Sequence, residues 1–205
     1  MNEKNYTGLI PENKKGKEIT AEHSTTFGSD KDAKSFYNIA RERLLNVNNW
    51  GKVTDNLAAI FQLTDEKGNE VNREAKKGDY FRIDIIGPGS KAGDGYDWAK
   101  VEEIKEVNDN TIESIAIIVR PAANPRAPDQ SIAHFYSESS TSTFIITREG
   151  KKVTASIFDR NIEANDETNK PLDKLRNVAI GFSAKNGFSK AQWQALAEGL
   201  VNKDQ

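Results

Sequence analysis

Over much of residues 57–160 the apolar side chains recur at every second position, whereas on both sides of that stretch they recur at helical spacing. A period of two belongs to an extended chain with one face buried, and a period near 3.6 to an amphipathic helix. Leu57, Ala59, Phe61 and Leu63 share one face, and Phe81, Ile83 and Ile85 share the next. Trp98–Val107, Ile112–Arg120, Ile132–Ile146 and Lys152–Arg160 continue the series, the fifth strand passing through the Ser-Thr stretch 138–143. The breaks between them are short and rich in turn residues: DEKGN at 65–69, Lys77-Gly78-Asp79, Asn108-Asp109-Asn110 and Glu149-Gly150. Parallel strands need a crossover of a dozen residues or more, so strands joined this way form an antiparallel sheet.

The helical periods flank this series. EITAEHSTTF (18–27) alternates weakly and predicts a first strand. Ser29 then opens SDKD, a weak capping box, ahead of Phe36, Tyr37, Ala40, Leu44 and Leu45, so a helix is predicted over 30–46. Asn46, Asn48 and Asn49 end it, and Trp50 and Val53 fit a short second turn of helix. Beyond the polar loop 161–171, Leu172, Leu175, Val178, Ala179 and Phe182 recur at helical spacing. Asn186-Gly187 is a stop signal, and Ser189 can cap a final helix carrying Trp193, Leu196, Ala197 and Leu200. The expected class is α+β: a curved antiparallel sheet of about seven strands gripping a C-terminal helix, with one or two short helices after the first strand.

This element order resembles the START-like superfamily, also called the helix-grip or Bet v 1-like fold, over about residues 18–201. The resemblance implies a cavity between the sheet and the last helix that often holds an apolar or amphipathic small molecule. Some members of the superfamily are cyclases, dehydratases or hydrolases, and others bind or carry.

Residues 1–17 stand apart from the predicted single domain at 18–205. They hold few large apolar groups among many Lys, Asn and Glu, too little to offset the entropy of ordering, and are expected as a flexible tail or loosely docked arm. The 29 basic and 31 acidic residues are mixed along the chain, with a net charge of −2 and no basic stripe to follow a phosphate backbone, so nucleic acid is not an expected partner. Cysteine is absent, which excludes disulfides and thiolate metal sites. The N-terminus has no apolar signal segment, and apolar runs such as Ile115–Val119 are too short to span a bilayer. A cytoplasmic protein without a membrane span is expected, and a homodimer is left open.

The string GPGSKAGDGYD at 87–97 raises the question of a phosphate loop. A Walker-type loop places Lys after its last Gly and opens a helix whose N-terminus faces the phosphate. Here Lys91 precedes the last glycines, the following segment reads as strand, and Asp94 and Asp97 would repel an anion. The string is read as a long connection between strands, with no nucleotide and no other cofactor expected. Asp94 and Asp97 without further spaced ligands do not make a metal site, and none is assigned.

Candidate binding residues follow from the inward aromatic faces and from the implied cavity: Phe61, Phe81, Tyr96, Trp98, His134, Tyr136, Phe144 and Trp193. Tyr96 and Trp98 flank the glycine turn and would cover a ligand if that turn were a lid. His134, in phase with Ile132 and Tyr136 on the predicted fifth strand, is a weak candidate for a general base. Asp159, Glu163, Asp166 and Glu167 read as a solvated acidic loop. Three functions are compatible with this pattern: a binder of a hydrophobic or amphipathic small molecule, a small cyclase- or hydrolase-type enzyme using His134 or a cavity carboxylate, and a protein-interaction module with a filled core.

Overall fold

The computed structural model describes residues 4–54, 59–85, 89–165 and 188–204. β1 (Lys17–Thr26) leads through Ser29 into α1 (Asp30–Leu45). The Ser29 hydroxyl accepts from the Asp32 N–H at 3.1 Å, which satisfies one of the helix's unpaired donors. A 3-10 turn (Val47–Asn49) and the short α2 (Trp50–Val53) follow. Then come β2 (Ala59–Thr64), β3 (Tyr80–Ile85), β4 (Asp97–Asn108), β5 (Ile112–Pro121), β6 (Thr141–Glu149) and β7 (Lys152–Ile162), and α3 (Phe188–Leu200) closes the chain. The predicted helix at 172–182, with its stop at Asn186-Gly187, lies outside the described residues.

The seven strands form one antiparallel half-barrel in the order β1-β7-β6-β5-β4-β3-β2. Each chain-adjacent pair from β2 to β7 is spatially adjacent, through tight turns at β4–β5 and β6–β7 and longer connections elsewhere, and β1 closes the far side against β7. The inward face of every strand carries the predicted alternation: Phe61 and Leu63 on β2, Phe81 and Ile83 on β3, Ile115 and Ile117 on β5, Ala155 and Ile157 on β7. α1 lies on this face through Ala33, Phe36, Tyr37, Ala40 and Leu44. Trp50, fully buried, fills the space between helix and sheet. Its ring centroid lies 4.8 Å from Phe144, 5.2 Å from Phe61 and 5.5 Å from Phe81, and its indole N–H donates to the Leu44 carbonyl at 3.1 Å.

α3 completes the grip. Arg43 of α1 donates to the Asn202 carbonyl at 2.7 Å and the Gly199 carbonyl at 3.3 Å, capping the helix end where its own donors run out. Gly199 is required by close approach: a Cβ there would lie 1.9 Å from the Val53 carbonyl oxygen. At the end of the β5–β6 ladder that adjoins the β4–β5 and β6–β7 turns, Glu113 and Arg148 pair across the strands as a buried, hydrogen-bonded ion pair.

One predicted strand is shorter than its sequence pattern. Residues 132–140 are not part of β6, which starts at Thr141. They form a loop laid beside the residues after β7, with an isolated bridge between Tyr136 and Ala164. Local hydrogen bonds take the place of a ladder here. The Ser140 N–H donates to the Ser137 carbonyl at 3.0 Å, and the Ser140 hydroxyl to the Asn161 carbonyl at 3.1 Å. Short hydroxyl side chains offer the backbone such alternatives.

The stretch expected as a tail is laid, from residue 4 to 16, across the outer face of the sheet. Ile10 packs on Ala116, Ile145 and Phe158, outward residues of β5, β6 and β7. The Leu9 carbonyl accepts from the Thr143 hydroxyl at 3.1 Å. Glu149 receives Lys4 at 2.7 Å and the Tyr6 hydroxyl at 2.6 Å. Asn161, in the left-handed region at φ 55°, accepts from the Lys14 N–H at 2.8 Å. Two apolar residues suffice because the sheet presents matching apolar residues outward, a match that composition averages away. A chain beginning at Lys17 therefore exposes that patch. Burial of a side chain like Ile10 is worth roughly 1.5–3 kcal/mol, and ~1 kcal/mol moves the melting temperature of a domain this size about 2–4 °C. Calorimetry should show a drop of at least about 4 °C; an unchanged melting temperature would mean that the arm contributes nothing.

Candidate functional site

α3 approaches the concave face with Trp193 foremost. The ring stands edge-on to Phe144 at 5.3 Å and lies 6.3 Å from Phe61. Its indole N–H donates to Asp159 Oδ2 at 2.7 Å. One turn earlier on α3, the Ser189 hydroxyl is 3.3 Å from the Tyr136 hydroxyl. The side chains meeting here come from three elements: Asp159 from β7, Trp193 and Ser189 from α3, and Tyr136 from the loop before β6. Ser142 of β6 is the ladder partner of Asp159 and shares its face.

Asp159 is inward because β7 alternates: Val153, Ala155 and Ile157 are core residues, and Asp159 is next in phase. It is 1% exposed. Burial pushes its carboxyl up to about 6 from an ordinary 3.8, against the opposing pull of the nearby Ser142 hydroxyl, the Trp193 N–H and the Arg160 charge. Its Oδ1 makes no hydrogen bond among the described residues. Burial raises the Tyr136 phenol as well, and the Asp159 charge adds to that rise. Asp97, the ladder partner of Ile83, is a second fully buried carboxylate on the inward face.

Four of the predicted residues, Phe61, Phe81, Phe144 and Trp193, meet on this face, linked through Trp50. Tyr136, in the loop before β6, packs with Phe135 and Ile162 in a separate cluster and reaches α3 through Ser189. His134 sits in the same loop, not on a strand face with Ile132 and Tyr136. It stacks on Phe135 at 4.5 Å, and its Nδ1 accepts from the Tyr136 N–H at 2.9 Å, which holds that nitrogen unprotonated. Trp98 and Tyr96 stand apart from the others. Trp98 is out of phase with the inward Ala99 and Val101 and packs with Ala92 and Ala133 on the outer side. Its indole N–H donates to the Gly93 carbonyl at 3.1 Å, and Arg82 lies 4.5 Å over the Tyr96 ring.

The glycine string is a tight turn folded over Trp98; its Gly87 and Pro88 lie outside the described residues. The Gly93 and Gly95 N–H groups both donate to the Ser90 carbonyl, at 3.2 and 2.7 Å, and the Tyr96 N–H to the Gly93 carbonyl at 3.1 Å. A Cβ on Gly93 would lie 1.9 Å from the Tyr96 carbonyl oxygen. Those N–H groups are spent within the turn, and β4 follows instead of a helix, so the geometry of a phosphate cradle is not formed by them. Asp94 accepts from Asn124 at 3.0 Å.

Asp159, Ser142, Ser189 and Trp50 were not among the candidate site residues. Asp159 had been grouped with an acidic loop; it lies in β7, and its phase with Ile157 was the available signal.

The titration of Asp159 has a defined sign. A carboxyl with a folded value above its unfolded one binds its proton more tightly in the fold, so its favourable contribution is present at low pH and lost as pH rises from near 4 through about 6. Asp159→Asn removes this loss. The melting temperature of the variant minus that of the wild type should grow by several degrees between about pH 4 and pH 7. A difference independent of pH would show that the carboxyl is solvated.

No family model and no curated protein matches the chain. Among solved structures, a hypothetical protein from Helicobacter pylori is similar at a TM-score of 0.54 and 14% identity, covering 93% of this chain and 89% of that one. Norcoclaurine synthase from Thalictrum flavum matches at 0.36 and 9% identity, over 93% and 98% of the two chains. A START superfamily protein from Mycobacterium smegmatis matches at 0.34 and 8%, over 88% and 99%. At such identities the first likeness speaks for the fold alone. That fold is a curled antiparallel sheet closed by a C-terminal helix, the helix-grip arrangement that the element order predicts.

Proposed function

We propose that this protein binds an amphipathic small molecule between the concave sheet and α3. The observation that carries the reading is the buried carboxylate of Asp159, aimed into the interface of sheet and helix, with one oxygen held by Trp193 and the other without a hydrogen bond among the described residues. An interior built for packing alone has no use for such a group, because an ionised carboxylate is costly to bury without partners. Aromatic rings on one side and a carboxylate with hydroxyls on the other suit a molecule with an apolar body and a polar end. Trp50 fills the neighbouring part of the core, so the ligand is expected at the Asp159 side of Trp193. Tyr96 and Trp98 have no part in it.

The enzyme reading keeps one favourable observation. A carboxyl at about 6 beside a tyrosine hydroxyl is suited to proton transfer near neutral pH, and Asp159, not His134, would carry it. Among the described residues no helix is long and apolar enough to cross a membrane. A cytoplasmic location, with no nucleic-acid partner, belongs to the same proposal.

Titration of the purified, delipidated protein with N-phenyl-1-naphthylamine, a neutral apolar probe, tests the reading. Saturable probe fluorescence, quenching of Trp193 emission and a probe-dependent rise in melting temperature are expected, the last because a ligand of the folded state stabilises it by mass action. Trp193→Phe, which keeps the packing but not the Asp159 contact, should weaken binding several-fold while remaining folded. Fluorescence that never saturates, with an unchanged melting temperature, would leave the filled-core interaction module as the better account.

A further inference from the structure

We infer that the polar end of the bound molecule is a protonated amine, with Asp159 as its counter-ion. This rests on the binding reading above and assigns the chemical class of its ligand.

Among the described residues the hydrogen-bond donors facing Asp159 are neutral. Trp193 gives one N–H to Oδ2 at 2.7 Å, and Ser142 faces it across the β6–β7 ladder. A carboxylate has about four lone-pair sites, and Oδ1 receives nothing among the described residues. Neutral donors orient a carboxylate but do not pair its charge in a buried place, and the Arg160 charge acts on it without a side-chain hydrogen bond between them among the described residues. The nearest cation in sequence, Arg160, is turned to the other face of the sheet. Its guanidinium donates to the Ile19 carbonyl at 3.2 Å and the Asp159 carbonyl at 2.9 Å, and lies 5.1 Å over the Phe158 ring. The inward cation of β6, Arg148, is six positions along from Ser142 and is engaged by Glu113.

The remaining groups on this side also favour a cation. The hydroxyls of Tyr136 and Ser189 can accept. The Phe144, Trp193 and Phe61 rings offer faces that attract ammonium groups. An anionic head would meet the Asp159 carboxylate, which no side-chain cation hydrogen-bonds among the described residues. A neutral hydroxyl could donate to Oδ1 but would leave the charge.

The amine also fixes a pH dependence. Besides Asp159, the titratable groups that bear on it are Tyr136 from the loop and Arg160 on its own strand; β6 and α3 present Ser142, Ser189 and Trp193, which do not titrate in the working range. With its carboxyl at about 6, Asp159 is ionised at neutral pH and loses its charge in mild acid. Affinity for an ammonium therefore falls as pH drops through that value, whereas affinity for a neutral analogue does not follow it.

The test uses three probes of one shape on the full chain: 1-naphthylmethylamine, 1-naphthylmethanol and 1-naphthylacetate, measured by calorimetry at about pH 7.5 and about pH 5. At the higher pH the amine should bind at least roughly tenfold tighter than the alcohol, with the acetate weakest. That preference should shrink several-fold at the lower pH and vanish in Asp159→Asn. If the alcohol binds as tightly as the amine, or the preference survives in Asp159→Asn or is independent of pH in the wild type, the amine assignment is wrong while the binding site stands. If none of the three binds, the binding reading itself fails and the amine falls with it.

Discussion

The hydrogen bond from the half-buried Trp193 indole to the buried Asp159 joins the C-terminal helix to the concave sheet. The arrangement around it follows from that contact. A curled seven-stranded sheet has an inward face that one helix cannot cover, so α1, Trp50 and α3 share it. Trp50 takes the middle, and Trp193 bridges the aromatic part of the interior to its polar part. Raising a carboxyl from 3.8 to about 6 costs on the order of 3 kcal/mol of stability at neutral pH. For a domain whose net stability is about 5–15 kcal/mol, that is a substantial concession, and such concessions concentrate at binding and catalytic sites.

The two faces of the sheet are used differently. The inner face holds the aromatic cluster and Asp159. The outer face is covered by the arm at Ile10 and by the glycine turn at Trp98. Outward residues such as Ala116, Ile145 and Phe158 are apolar because the arm needs them. The outer face of this antiparallel sheet is therefore partly dry, in contrast to the usual alternation of apolar inside and polar outside.

Much of the fold could be read from periodicity. The phase of Phe61, Phe81, Phe144 and Ile157 identified the inward face, and Ser29 marked the start of α1. The site was less legible. The helical stripe placed Trp193 on the face of α3 that meets the sheet, but Asp159 was hidden among the acids that follow it, although its parity with Ile157 placed it inward. Trp98 misled because an aromatic residue beside a glycine turn suggests a lid, whereas the parity of Ala99 and Val101 puts it outside. His134 was assigned to a strand because Ile132, His134 and Tyr136 alternate. Local hydrogen bonds at Ser137 and Ser140 overrode that pattern, and alternation over five residues cannot tell a short strand from a loop packed against one.

The account turns on Asp159 being a desolvated carboxyl held between sheet and helix. Carbon-13 NMR of the side-chain carboxyls, with Asp159 assigned by comparison with Asp159→Asn, measures this directly. The account predicts a titration midpoint near 6, well above the other aspartates. A midpoint close to the ordinary value of about 3.9 would contradict it, because a carboxyl that titrates like one in water is not enclosed by Trp193, Ser142 and the concave face.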